Sequence, residues 1–351
     1  MIATFAAALL VALSAQAQQP PPPEETGVTL HVRSDLVFLP TRIETKKGDT
    51  IYGLTQDQFI VEDDGVRQNV LLEDSPDSGS LSLAIVVQCG RSASDEFYKL
   101  KGLGSMIEEI AGGAPHEVAV VVYGERPYLL SDFSRSSDTA QLALSRLKSC
   151  GDYHAATIDA VEYSLNLLQH RQNRYRRAIL LIGEERDHGS KAKLHEVVAE
   201  LGATNTVIYS IAFSPTKSQF VSGLRYGADG PPKPKAPRDA GSDRQQDPEY
   251  TDHPPLFELP PLLLLAVNAL RENTAAELAS LSGGERMSFV SQKGLEQALQ
   301  RVANHVHNYY LLSFQPPSTT KIGLHTLRVT VAGYPDANVQ TRKSYWSGIP
   351  H

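Results

Sequence analysis

Apolar and polar positions divide this chain into stretches of two different periods. In its middle, LAIVV (83–87), EVAVVVY (117–123), AILLIG (178–183) and TVIYSIAF (206–213) are apolar at nearly every position. Such runs fit strands buried on both faces of a parallel sheet. Between and around them, 96–110, 139–147, 156–170, 191–201 and 294–305 carry apolar residues at helical spacing, and 127–133 reads as a shorter edge strand. Strands alternating with helices of this length predict βαβ units and a doubly wound, mostly parallel α/β sheet.

Toward both ends the period changes to two. VTLHVRS (28–34), LVFLPTRIE (36–44), FIVED (59–63) and VRQNVLLED (66–74) alternate as half-buried antiparallel strands do, with Asp64-Gly65 marking a hairpin. NYYLLSFQP (308–316), HTLRVTVAG (325–333) and VQTRKSYW (339–346) predict three more such strands. A β module over 28–78 is too small and open-edged to stand alone. It is expected to pair with 306–347 as a β-sandwich, into which the α/β domain, 80–305, is inserted. Tyr309, Tyr310, Tyr345 and Trp346 are then expected in the sandwich core, and Arg171, Arg174, Arg176 and Arg177 on a solvated segment.

The remaining stretches carry neither period. Residues 1–17 (MIATFAAALLVALSAQA) have an apolar core leading to Ala15-Gln16-Ala17, as in a secretory signal, although no Lys or Arg precedes that core. The run is too short to span a bilayer, so a periplasmic or secreted protein without a membrane span is expected. Residues 18–27 form a Pro-rich spacer, and 214–258, with PPKPKAP at its centre, read as a mobile insertion. LPPLLLLAVNAL (259–270) predicts a buried helix running on toward LASLSGG, and MSFV (287–290) a short strand.

Composition narrows the function classes. With 41% apolar and 21% charged residues the chain is ordinary for a globular protein, and a net charge of −7 argues against a nucleic-acid partner. Ser92 and His188 with nearby acids could be imagined as a triad, but there is no G-x-S-x-G elbow, Walker A loop, Rossmann glycine pattern or HExxH. No enzymatic activity and no cofactor are expected.

The order of elements, with FIVEDDGVRQNV, LLSDFS, ATIDAVEYSL, ASLSGGERMSF, YYLLSFQP, HTLRVTV and RKSYW in sequence, resembles the von Willebrand factor type A (vWA) proteins described from acidobacteria. The resemblance implies a binding role and a metal-ion-dependent adhesion site on the loops beyond the strands' carboxyl ends. That site takes D-x-S-x-S, a Thr and a further Asp around Mg²⁺. Here Gln88 and Gly90 stand at the first Asp and first Ser, Ser92 survives, Ala155 replaces the Thr and Glu184 the last Asp. A degenerate site that holds no Mg²⁺ is expected. A rebuilt transition-metal site from Asp152, His154, Glu185, Asp187 and His188 is the alternative to a solvated loop surface, which is the reading preferred.

In the vWA fold Cys89 and Cys150 both fall on these loops. Export permits a disulfide there; a buried Cys89 with a free Cys150 is the other reading, and both stay open. The expected role is binding of an unknown protein partner through Arg91, Ser92, Asp152, His154, Glu184, Asp187 and His188. The alternatives are a structural component of the envelope acting through the sandwich, and a hydrolase.

Overall fold

A computed structural model describes residues 36–73, 80–94, 96–171, 175–213, 273–317 and 319–347, without the side chains of Arg91, Ser92 and Lys101. The expected signal segment, the Pro-rich spacer, the strand at 28–34, the insertion 214–258 and the helix at 259–270 lie outside the described residues.

The sandwich begins with β1 (Val37–Glu44), β2 (Phe59–Asp63), β3 (Val66–Arg67) and β4 (Leu71–Leu72). β5 (Leu81–Gln88) is buried at every position, as an unbroken apolar run requires. It pairs in parallel with β6 (His116–Tyr123) and β8 (Arg176–Gly183). The antiparallel β7 (Pro127–Ser134) closes one edge, while β9 (Thr206–Phe213) and β10 (Arg286–Phe289) extend the other in parallel. The sheet order is therefore β10-β9-β8-β5-β6-β7.

Among the described residues the α-helices are α1 (Arg91–Ser94), α2 (Ile107–Ala111), α3 (Ser137–Ser145), α4 (Thr157–Gln169), α5 (Leu194–Thr204), α6 (Thr274–Ser282) and α7 (Gln292–His307). Leu83, Ile85 and Val87 of β5 pack against α2, α3 and α7 on one face. Ala84 and Val86 meet α4, α5 and α6 on the other. This is the doubly wound vWA-type arrangement.

Beyond it come β11 (Tyr310–Phe314), β12 (Gly323–Val331), β13 (Asn338–Gln340) and β14 (Ser344–Ser347). They join the amino-terminal strands in two sheets, β13-β1-β11-β4 and β14-β12-β2-β3. Leu39, Ile43, Val61, Leu312, Phe314 and Val329 fill the space between them. A β-sandwich made from both ends of the chain is thus present, its hairpin turning at Asp64 and Gly65 with φ of 47° and 81°.

Four expectations are corrected. The helix at 96–110 is instead two 3₁₀ turns, Phe97–Gly102 and Gly104–Met106, followed by α2. Gly102 and Gly104 weaken helical propensity, and α3 presses so closely that a Cβ on Gly104 would lie 2.6 Å from the Gln141 side chain. The stretches 66–74 and 339–346 each split into two strands that belong to different sheets. β1 is buried along nearly its whole length rather than on one face, because its outer face meets the α/β domain.

That seam also explains the aromatic and arginine corrections. Alternation sends Tyr310 and Tyr345 into the sandwich core, but turns Trp346 onto the α/β domain, where its ring lies 5.5 Å from His195. Tyr309 lies under the Arg176 guanidinium at 4.2 Å. The arginines are engaged rather than solvated. Arg171 donates to both Glu117 oxygens at 2.9 and 2.6 Å, and Arg177 donates to the Thr204 and Arg171 carbonyls at 3.3 and 3.2 Å. Arg174 lies outside the described residues.

The seam itself is ionic. Arg42 donates to Glu44 at 2.8 Å and to Glu285 at 3.1 Å; Arg301 reaches Glu285 at 2.7 Å, and His305 Nδ1 lies 3.0 Å from it. Arg42 and His305 are buried. The Glu285 carboxyl titrates below its ordinary range: burial opposes this, but His305, Arg301 and Arg42 outweigh it. Arg342, buried between β13 and β14, donates to the Leu201 carbonyl in the last turn of α5 at 3.2 Å, and burial lowers its pKa to about 10.

Candidate functional site

The loops leaving β5, β6 and β8, and the loop entering α4, converge at the carboxyl edge of the sheet, where open α/β folds place their sites. Gln88, the last residue of β5, is buried, and its Oε1 accepts the backbone N–H of Glu184 at 2.7 Å. Gly183 makes room for that contact, since a Cβ there would stand 2.2 Å from the Tyr123 hydroxyl and 3.0 Å from Gln88 Oε1.

The next residue carries a covalent tie. Cys89 and Cys150 form a disulfide with Cα atoms 5.3 Å apart, and Cys150 N–H donates to the Cys89 carbonyl at 2.9 Å. Further along, Ala155 and His188 exchange backbone hydrogen bonds of 3.1 and 2.8 Å as an isolated antiparallel bridge. The loops after β5, after β8 and before α4 are thus joined pairwise, by an amide contact, a disulfide and a short β-bridge.

Several residues expected on the binding face hold the loops instead. Asp152 Oδ2 accepts the Glu125 N–H at 2.9 Å. Asp187 Oδ1 accepts the Ile158 N–H at 3.1 Å, and Ser190 Oγ accepts that of Asp159 at 3.1 Å. Together they satisfy two amides in the first turn of α4, which has no partner of its own there. Asp159 returns the favour to the amides of Lys191 and Ala192, both at 2.8 Å. Glu185 pairs with Arg286. His154 and His188 are exposed and Glu184 is half-buried. Beneath the loops, burial raises the Tyr123 phenol well above its ordinary pKa, outweighing the Thr157 hydrogen bond, so it stays neutral.

The donor set does not fit Mg²⁺. Gly90 and Ala155 offer no side-chain oxygen, and Gln88 Oε1 is already engaged. Only Ser92 and Glu184 remain of the five expected donors, too few for an ion that demands near-octahedral oxygen ligands. Among the described residues, Asp152, His154, Glu185, Asp187 and His188 do not bring three ligand atoms within reach of one ion. Sequence reasoning missed Tyr153, which is 73% exposed at the crest of this edge. An aromatic inside a polar loop was the available signal.

Strand order, antiparallel edge and helices on both faces define a vWA-type α/β domain carried on a β-sandwich. The sequence matches no family model and no curated protein. Among solved structures, an aerotolerance-related membrane protein from Bacteroides fragilis is 13% identical, covering 64% of this chain and 98% of its own, with a TM-score of 0.38. The VWA domain of SpRpn10 is 17% identical over 41% of this chain and 76% of its own, TM-score 0.31. Proximal thread matrix protein 1 from the mussel byssus, with a zinc-occupied MIDAS motif, is 12% identical over 70% and 49%, TM-score 0.40. The vWA-type assignment rests on the strand order and not on these likenesses. Among the described residues, no helix is long and apolar enough to cross a membrane.

Proposed function

We propose that this chain is an exported, periplasmic or secreted, non-enzymatic protein-interaction module that presents the carboxyl-edge loops of its vWA-type domain to a protein partner without a bound metal. The observation that carries this reading is the pairwise joining of the three loops. An adhesion-site metal draws such loops together and offers an open coordination position to a partner's acid. Here a disulfide, an amide contact and a β-bridge supply the drawing-together, and no open coordination position is needed. A surface fixed in advance loses less conformational entropy on binding. On it stand Tyr153, His154, Arg186 and His188, all exposed, a mixture of an aromatic anchor and polar groups suited to a protein epitope.

The test is capture from envelope extract by the purified mature protein. Capture that persists in EDTA and falls at least tenfold with Tyr153→Ala is the expected result. Capture abolished by EDTA would return the metal to the site. Capture insensitive to the loop substitutions but lost on substitutions in the sandwich would favour a structural component of the envelope.

A further inference from the structure

A second cluster of ligand-type side chains lies at the hairpin of the sandwich. Asp63 ends β2, Asp64 opens the turn, and His325 stands on the neighbouring β12, where Leu327 pairs with Asp63. His325 Nδ1 is 2.8 Å from Asp64 Oδ2 and 3.4 Å from Asp63 Oδ1. The three atoms all lie within 4.8 Å of one another.

The outer atom of each group is tied down. His325 Nε2 is 2.8 Å from the Lys321 carbonyl, an acceptor, so this nitrogen carries the hydrogen. Asp64 Oδ1 accepts the Thr326 N–H at 2.8 Å and its hydroxyl at 3.0 Å. Asp63 Oδ2 accepts the Tyr345 hydroxyl at 2.8 Å, and the Tyr345 ring stacks on His325 at 5.1 Å. What remains are three inner atoms facing a common point. One of them, Asp63 Oδ1, is buried without a hydrogen-bond partner, on a residue only 6% exposed.

The buried Asp63 carboxylate, facing a second carboxylate and a ring nitrogen, requires positive charge beside it, since buried charges are paired or coordinate metals. A proton on Nδ1 balances one carboxylate; a divalent ion balances both. We propose that Asp63, Asp64 and His325 bind a divalent transition-metal ion of the zinc class. Bonds of about 2.1 Å to nitrogen and oxygen in a tetrahedral site put ligand atoms about 3.4 Å apart; the observed 3.4 Å between His325 and Asp63 matches that spacing, and the 2.8 Å between His325 and Asp64 opens by roughly 0.6 Å to reach it. The imidazole selects against Mg²⁺ and Ca²⁺. The Lys321 carbonyl, Thr326 and Tyr345 are the outer partners that such sites use to orient their ligands. Asp64, with its side chain 48% exposed, leaves the ion a path to solvent and a position for water. The bound ion would fasten the hairpin to β12.

The experiment is calorimetric titration of the EDTA-treated, dialysed mature protein with ZnCl₂. One zinc per chain is expected, with affinity reduced at least tenfold by Asp64→Asn and by His325→Gln, and about 10–100-fold by Tyr345→Phe through the outer partner. Asp64→Asn keeps the acceptor used by Thr326, so the variant should still unfold in one cooperative transition in EDTA. Removing the exposed histidines, His154→Ala with His188→Ala, should leave the affinity unchanged. The absence of saturable binding, or a site that survives Asp64→Asn and His325→Gln, would overturn the proposal.

Discussion

The loops at the carboxyl edge of the six-stranded sheet and the seam between that domain and the sandwich are both places where separate parts of the chain must be held in register. At the edge the ties are a disulfide, an amide contact and a β-bridge, none of which changes charge. At the seam Arg42, Glu44, Glu285, Arg301 and His305 form an ionic network, most of it buried. Of these two sets of ties, the disulfide at the edge should therefore answer to reductant, and the ionic network at the seam to pH.

The largest expected effect breaks the edge. Converting Cys89 and Cys150 to serine frees a loop with a sequence separation of 61 residues, and should cost roughly 4 kcal/mol by chain entropy. Urea unfolding with and without reductant measures it, and the serine variant should no longer respond to reductant. Next, Arg42→Met breaks the seam, leaving Glu44 and Glu285 facing each other, for about 3 kcal/mol. Amide hydrogen exchange in the edge loops should stay unchanged in that variant. Gln88→Ala leaves the Glu184 N–H without its acceptor and should cost about 1–2 kcal/mol, visible as faster exchange of that amide.

The smallest effect is the pH dependence. Burial lowers the pKa of His307, at the end of α7, and Arg176 adds to the shift. The unfolded chain therefore binds the proton first, and stability declines as pH falls below about 6.5. Glu285, also depressed, contributes stability above its ordinary value near 4.5 that is lost as pH falls through its lower folded value. Unfolding midpoints between pH 8 and 3 should fall in these two stages, and Glu285→Gln should flatten the second.

Apolar period made most of the fold legible, because strands buried on two faces and strands buried on one differ in pattern. It failed where a neighbour decided the outcome. β1 alternates as a one-faced strand yet is buried on both faces, Leu39 and Ile43 in the sandwich core and the outer face against the α/β domain. The helix expected at 96–110 gave way to α3 at Gly104. At the edge, the resemblance to vWA proteins singled out Gln88, Gly90 and Ala155, but not what Gln88 does, since its partner Glu184 lies 96 residues away. Asp152 and Asp187 looked like surface carboxylates for the same reason: the amides they accept belong to other loops. Nothing local in FIVEDDG or HTLRVTV suggests that Asp64 and Thr326, 262 residues apart, share a hydrogen bond.

The pairing of the two chain ends has a consequence for the order in which the molecule assembles. The hydrogen bond between Thr41 and Thr341 spans 300 residues, and closing so long a loop in an unstructured chain costs about 5 kcal/mol of entropy. The α/β domain lies between those residues, and its own contacts are more local. Once folded, it delivers the start of β5 and the end of α7 as neighbours of the seam, so most of that closure is already complete. The sandwich is then a late event: β1 and β2 are synthesised first and wait, edges open, until β11 and β12 emerge. That interval is the stage at which a holding chaperone would find strand edges to bind.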